Sequence, residues 1–140
     1  MTTATFPTNP INQLFGLNRN AIREAIVRQS LPERPLEDVL NYLCEQFGIN
    51  QTAALNLIDV SPSQKSRGKN ADLEVIDRAI TSLETFARVA SKMGEPNARR
   101  WFVQPNPNLS DLTPLQCLKT RVGLQQLEEH ISALEDGAYL

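Results

Sequence analysis

The chain has 140 residues, 41% of them hydrophobic and 21% charged, with a formal net charge of -2. That is enough apolar material for a real core, which excludes a disordered tail or a linker, and it favours one domain or two very small ones. Aromatic residues make up only 6%; Leu, Ala, Glu, Gln and Arg dominate and strand-like alternation is absent, so the expected class is all-α. The charge is unevenly placed. Ser61 to Lys69 carries Lys65, Arg67 and Lys69 and no acid, whereas Ala71 to Leu140 carries ten acids against seven bases.

Residues 1–17 are rich in Thr, Pro and Asn, which predicts a flexible N-terminus. They lack the basic start and apolar run of a signal peptide, and no apolar run reaches membrane-spanning length, so a cytoplasmic protein with no membrane contact is expected. From Asn18, "NRNAIREAIVRQ" places Ala21, Ile22, Ala25 and Ile26 on one side of a helix that Leu31-Pro32 and Pro35 end. In "PLEDVLNYLCEQFG" the residues Leu36, Val39, Leu40, Leu43, Cys44 and Phe47 recur at steps of three and four, between Pro35 at the first turn and Gly48 at the stop. That stripe reads Cys44 as a buried core residue.

Gln51 to Ile58 predicts a short helix and Asp59-Val60 a tight turn, with Asp59 taking the left-handed conformation that glycine usually supplies. Ser61-Pro62-Ser63-Gln64 is a capping box with proline at the first helical position, so a second short helix starts there. Two short helices across a tight turn are the outline of a helix-turn-helix. In that reading Ser63 and Gln64 approach base edges while Lys65, Arg67 and Lys69 meet phosphates, and the cap Ser61 belongs to the same DNA-binding set.

The longest helix follows in "NADLEVIDRAITSLETFARVASKMG", with Leu73, Ile76, Ile80, Leu83, Ala87 and Ala90 on its seam. Ala79, Phe86 and Met93 widen the face, and Gly94 ends it. So wide a face serves either as a central core helix or as a homodimer interface. After it, Pro96 to Phe102 forms a short helix burying Ala98, Trp101 and Phe102. Thr113, Pro114 and Gln116 make a second capping box, with Leu115 and Leu118 turned inward. Gly123 separates this turn from a last helix bearing Leu124, Leu127, Ile131 and Leu134 and stopped by Gly137. The division expected is 1–17, 18–94 and 95–140.

The order Ala98, Trp101-Phe102, Pro105-Asn106, Leu109, Thr113-Pro114-Leu115, Leu118, Gly123 and Gly137 resembles the C-terminal toxin-binding domain of the Xre/MbcA/ParS antitoxins. Upstream, Asp77-Arg78 and "QSLPERPLEDVL" are similar to the same family, so the resemblance runs from about residue 22 to residue 140. Ser110-Asp111 stands where the family has glycines, Ser30 replaces a Gly, and Lys65 stands where an apolar residue is expected. The resemblance implies an antitoxin that binds a RES-type, NAD-consuming toxin and occludes its active site, with operator DNA and a second copy of itself as further partners. Gly137, Ala138, Tyr139 and Leu140 are then the segment that enters the toxin. Arg99 and Arg100 read either as a solvated helix face or, beside Trp101, as a toxin contact. The alternative is a free-standing helix-turn-helix regulator without a toxin.

An enzyme is not expected. His130 is the single histidine and reads as a solvated or partly packed residue on the flank of the last helix, and no catalytic set or phosphate loop is present. Neither Cys44 nor Cys117 has a partner at metal-ligand spacing, so no catalytic residue, metal, cofactor or small-molecule substrate is assigned.

Overall fold

A computed structural model of the chain describes residues 15, 17, 19–66 and 70–137. Among these, every regular element is helical, and the only extended pairings are two isolated bridges, Pro35 with Asn70 and Asn106 with Leu112. Most of the segment read as flexible lies outside the described residues. Phe15, within it, is buried in the core, and Leu17 packs against that core.

Helix α1 (Arg19–Val27) buries Ile22 completely. Helix α2 (Leu36–Phe47) keeps the predicted stripe of Leu36, Val39, Leu40, Leu43 and Phe47, although Cys44 at its margin is only half-buried. The helix stops at Gly48, whose φ of 67° lets its N–H donate back to the Cys44 carbonyl in the manner of a left-handed cap. Helix α3 (Gln51–Leu57) is started by Asn50, whose side chain accepts the Ala53 N–H at 2.8 Å. Asp59 then takes φ 57° in the turn. Ile58 and Val60 beside it are buried, so the turn is pinned to the core from both sides. Helix α4 (Pro62–Ser66) opens on the predicted box: Ser61 Oγ accepts from Gln64 N at 3.2 Å and Gln64 Oε1 from Ser61 N at 2.8 Å.

Helix α5 (Leu73–Met93), capped by Asp72, is the spine. Its buried residues are Val75, Ile76, Ala79, Ile80, Ser82, Leu83, Thr85, Phe86 and Val89, so the burial is centred differently from the expected seam. Leu73, Ala87, Ala90 and Met93 are half-buried instead. The reason is that α5 touches helices on several sides: α2, α6 (Glu95–Phe102) and α8 (Arg121–Glu135) all pack on it. Two small polar residues can sit inside because each hydroxyl donates to a carbonyl one turn back, Ser82 to Arg78 at 2.9 Å and Thr85 to Thr81 at 2.7 Å. The wide apolar face is thus used within the chain.

After α6 the chain makes a 3-10 turn (Pro107–Leu109), then α7 (Pro114–Cys117), which begins with the full Thr113–Gln116 capping box. In α7 the fully inward residues are Pro114 and Cys117, with Leu115 and Leu118 half-buried. Gly123 does not separate two helices. Thr120 caps α8, accepting the Gly123 N–H at 3.0 Å, and Gly123 lies buried in the first turn. Close approach explains it: a Cβ there would stand 2.6 Å from the Cys117 carbonyl oxygen. At the centre, Phe47 of α2, Phe86 of α5 and Phe102 of α6 meet with ring centroids 4.9 to 5.7 Å apart, so one aromatic cluster crosses residue 94.

Candidate functional site

The helical hairpin at the C-terminal end is organised around Asn106. Its side-chain oxygen accepts the Asn108 N–H at 2.9 Å, and its backbone carbonyl accepts those of Leu109 and Asp111. Its own N–H donates to the Leu112 carbonyl at 3.0 Å. The turn so closed holds two successive left-handed residues, Ser110 at φ 57° and Asp111 at φ 63°. These are the positions where the sequence departs from glycine, and each non-glycine residue costs about 1 kcal/mol in that conformation.

Asn106 also reaches α8, its Nδ2 lying 3.3 Å from His130 Nε2. His130 is 8% exposed, which decides between the two readings of it in favour of the packed one. Its ring stacks on Trp101 at 6.0 Å with 10° between planes, while Trp101 meets Phe102 edge-on at 5.1 Å. Burial pushes the imidazole pKa below its ordinary 6.5, so the ring is neutral at pH 7 and Nε2 can accept the amide proton. The unfolded chain therefore takes up a proton near pH 6.5 that the folded chain refuses, and stability falls as pH drops through that value, levelling once the folded pKa is passed. Chemical denaturation at pH 7.5 and 5.5 should give a lower midpoint at 5.5, and His130→Gln should remove the difference.

Arg99 is a strut. Its Nε donates to the Gln46 carbonyl at the end of α2 at 2.9 Å, its Nη2 pairs with Glu95 at 3.2 Å, and its stem lies against Gly48. Arg100 is exposed and bonds Asn97 on the same helix. Trp101 is half-buried in the stack, and Arg100 is the more exposed of the two arginines. Gly137 ends α8 at φ 83°, and Ala138, Tyr139 and Leu140 lie outside the described residues. A groove of about 350 Å³ runs between Asn108–Ser110 and the α8 residues Gln126, Glu129, His130 and Ala133. Val103, Leu112 and Val122 are exposed at this end of the chain; no periodicity singled them out, because each sits at a helix boundary or in a turn.

At the start of α4, Ser61, Ser63 and Gln64 are exposed, but Gln64 spends its side-chain oxygen on the cap and Ser61 Oγ lies 3.1 Å from Ser63 Oγ. Lys65 turns inward along α3: Nζ donates to Gln51 Oε1 at 2.7 Å and lies 3.8 Å from Glu37, which itself accepts from Gln51 Nε2 at 2.9 Å. A lysine held by a neighbouring carboxylate releases few counterions from DNA. Lys65→Ala should therefore leave the slope of log affinity against log salt within about 0.3 of the parent value, where a phosphate contact would lower it by about one. Arg67 and Lys69 lie outside the described residues. No group of three or more potential metal ligands occurs among the described residues, and none of their helices is long and apolar enough to cross a membrane.

Residues 92–137 match the family described as the antitoxin Xre/MbcA/ParS C-terminal toxin-binding domain. That stretch of the chain is similar to the toxin-binding domain of the Xre/MbcA/ParS antitoxins. The Antitoxin Xre of Pseudomonas putida (strain KT2440) is 32% identical over 76 residues, which cover 54% of this chain and 48% of that protein. The chain thus spans about half the length of the curated relative it matches. The matched stretch begins on the last turn of α5, includes α6, the 3-10 turn, α7 and α8, and closes at Gly137. Arg99, Arg100, Trp101 and Gly137 fall inside it, as do Asn106 and His130, which sequence reasoning left unassigned. The residues Ser61 to Lys69 fall outside it.

Proposed function

We propose that the chain is the antitoxin of a type II toxin–antitoxin system, that it neutralises a RES-type, NAD-consuming toxin by occluding the active site, and that it acts in the cytoplasm. The observation carrying this reading is the match of residues 92–137 to an antitoxin toxin-binding domain in which α8 is anchored to the core by Leu127, His130 and Ile131 and released at a positive-φ glycine. A helix end so anchored delivers Gly137, Ala138, Tyr139 and Leu140 into a cleft that the globular body cannot enter. Small residues allow close approach, and one aromatic ring offers a stacking surface. The antitoxin supplies no chemistry; it displaces substrate.

Operator binding with autorepression through α3 and α4, and a homodimeric state, belong to the same proposal. The α3–turn–α4 geometry, with its left-handed Asp59, supports the first, and the two-fold symmetry of helix-turn-helix operators supports the second. That geometry also favours the second reading, a free-standing regulator; the match of residues 92–137 to a toxin-binding domain weighs against it.

Deletion of Ala138 to Leu140 is expected to leave the thermal midpoint and oligomeric mass unchanged while abolishing growth rescue and NAD preservation in cells expressing the toxin. A truncated chain that protects as well as the full one would move the blocking surface to Arg99, Arg100 and the Pro105 turn.

A further inference from the structure

The groove between the Asn106 turn and α8 has uncommitted walls. Gln126, Glu129, His130 and Ala133 stand at i, i+3, i+4 and i+7, so they form one stripe of α8. Asn108, Leu109 and Ser110 face them from the turn across about 350 Å³, room for a long side chain and the backbone beside it. The floor is closed, since Leu109 is 3% and His130 8% exposed.

Elsewhere in this stretch the polar side chains are spent internally. Asn106 closes its own turn, Thr113 caps α7, Thr120 caps α8, Arg99 braces α2, and Glu135 takes a forked bond from Arg88. Along the groove they are not. Among the described residues, the Glu129 carboxylate enters no ion pair or hydrogen bond, and neither do the side chains of Asn108, Ser110 and Gln126.

The lining holds two titratable side chains, Glu129 and His130, and no Lys or Arg. Burial keeps the imidazole neutral at pH 7, so Glu129 makes the groove negative. Leu109 and Ala133 give it apolar surface. An exposed carboxylate beside such a floor suits a side chain with an apolar stem and a cationic head: the stem covers the floor while the head pairs with the carboxylate.

We propose that this groove docks a lysine or arginine side chain of the toxin, with Glu129 as its counter-ion. Asn108, Ser110 and Gln126 then bond the backbone on either side of that residue. The proposal rests on the reading that residues 92–137 bind a toxin, and it uses nothing beyond Gly137.

The test measures the affinity of the full chain for the RES-domain toxin encoded in the same operon, at low and at high salt. Glu129→Gln keeps the shape and removes the charge; it should weaken binding roughly tenfold at low salt and less at high salt. Ala133→Met fills the groove without changing charge and should weaken binding by about tenfold at either salt. Glu128→Gln, one position along and outside the lining, is the control and should change affinity less than about twofold. All three positions are exposed or half-buried, so thermal midpoints and oligomeric mass should match those of the parent. Equal losses for Glu129→Gln and Glu128→Gln would overturn the proposal, because the toxin would then sense net charge and not the groove. So would unchanged affinity for both Glu129→Gln and Ala133→Met. A changed oligomeric mass in those two variants with toxin affinity kept would overturn it too, assigning the groove to a second copy of the chain. Each of these leaves the toxin reading standing, whereas a parent chain that does not bind the toxin removes that reading and this proposal with it.

Discussion

Phe102→Ala should cost about 4 kcal/mol, the sum expected for emptying a fully buried aromatic site and losing its ring contacts. Phe102 has no exposed surface and sits edge-on to Phe47 at 5.3 Å and beside Phe86 at 5.7 Å. Those partners come from α2 and α5, so the cavity would open where helices on both sides of residue 94 share one core. Against a total stability of roughly 5–15 kcal/mol for a domain of this kind, the loss should lower the thermal midpoint by roughly 8–16 °C. It should do so in one cooperative transition followed identically by circular dichroism and tryptophan emission. Two separated transitions would instead make residue 94 a true folding boundary.

Gly123→Ala is the second large effect, and its sign runs against helix propensity. Exchanging glycine for alanine inside a helix ordinarily stabilises by about 1 kcal/mol. Here the new methyl would meet the Cys117 carbonyl oxygen at 2.6 Å, Thr120 Oγ1 at 2.9 Å and Cys117 Cα at 3.0 Å. Two of these are backbone atoms of α7, which cannot swing aside, and the third is the oxygen that caps α8 through the Gly123 N–H. Overpacking and loss of the cap together should destabilise by about 3 kcal/mol. Urea unfolding should show a lower midpoint with an unchanged slope. A midpoint at or above that of the parent would mean that α7 and α8 separate more easily than their packing implies.

What could be read from the sequence is what short-range chemistry determines. The α2 stripe, the two capping boxes at Ser61 and Thr113, the left-handed Asp59 and the stop at Gly137 all depend on residues within four positions of one another, and each is found in the fold. What could not be read depends on contacts far along the chain. Arg99 reaches the Gln46 carbonyl across 53 positions, and nothing near Arg99 distinguishes it from the exposed Arg100. His130 owes its burial to Trp101 and Asn106, which local spacing does not connect to it. The reading of Gly123 as punctuation failed because its neighbour across the turn, the Cys117 carbonyl, has no side-chain signature. On α5, periodicity identified the helix but not the centre of its face, since a helix with neighbours on several sides buries residues that a single seam omits. The Lys65 bond to Gln51 spans 14 positions, and local charge gives no sign of it.

Trp101 is the chain's one tryptophan, and its stack on His130 makes the molecule its own optical instrument. A neutral imidazole leaves the excited indole largely undisturbed, whereas a protonated one accepts its electron and darkens it. Emission from a single native fluorophore therefore reads out the charge on His130 and the seating of α8 against α6, without a label and without touching the surface that a partner would cover.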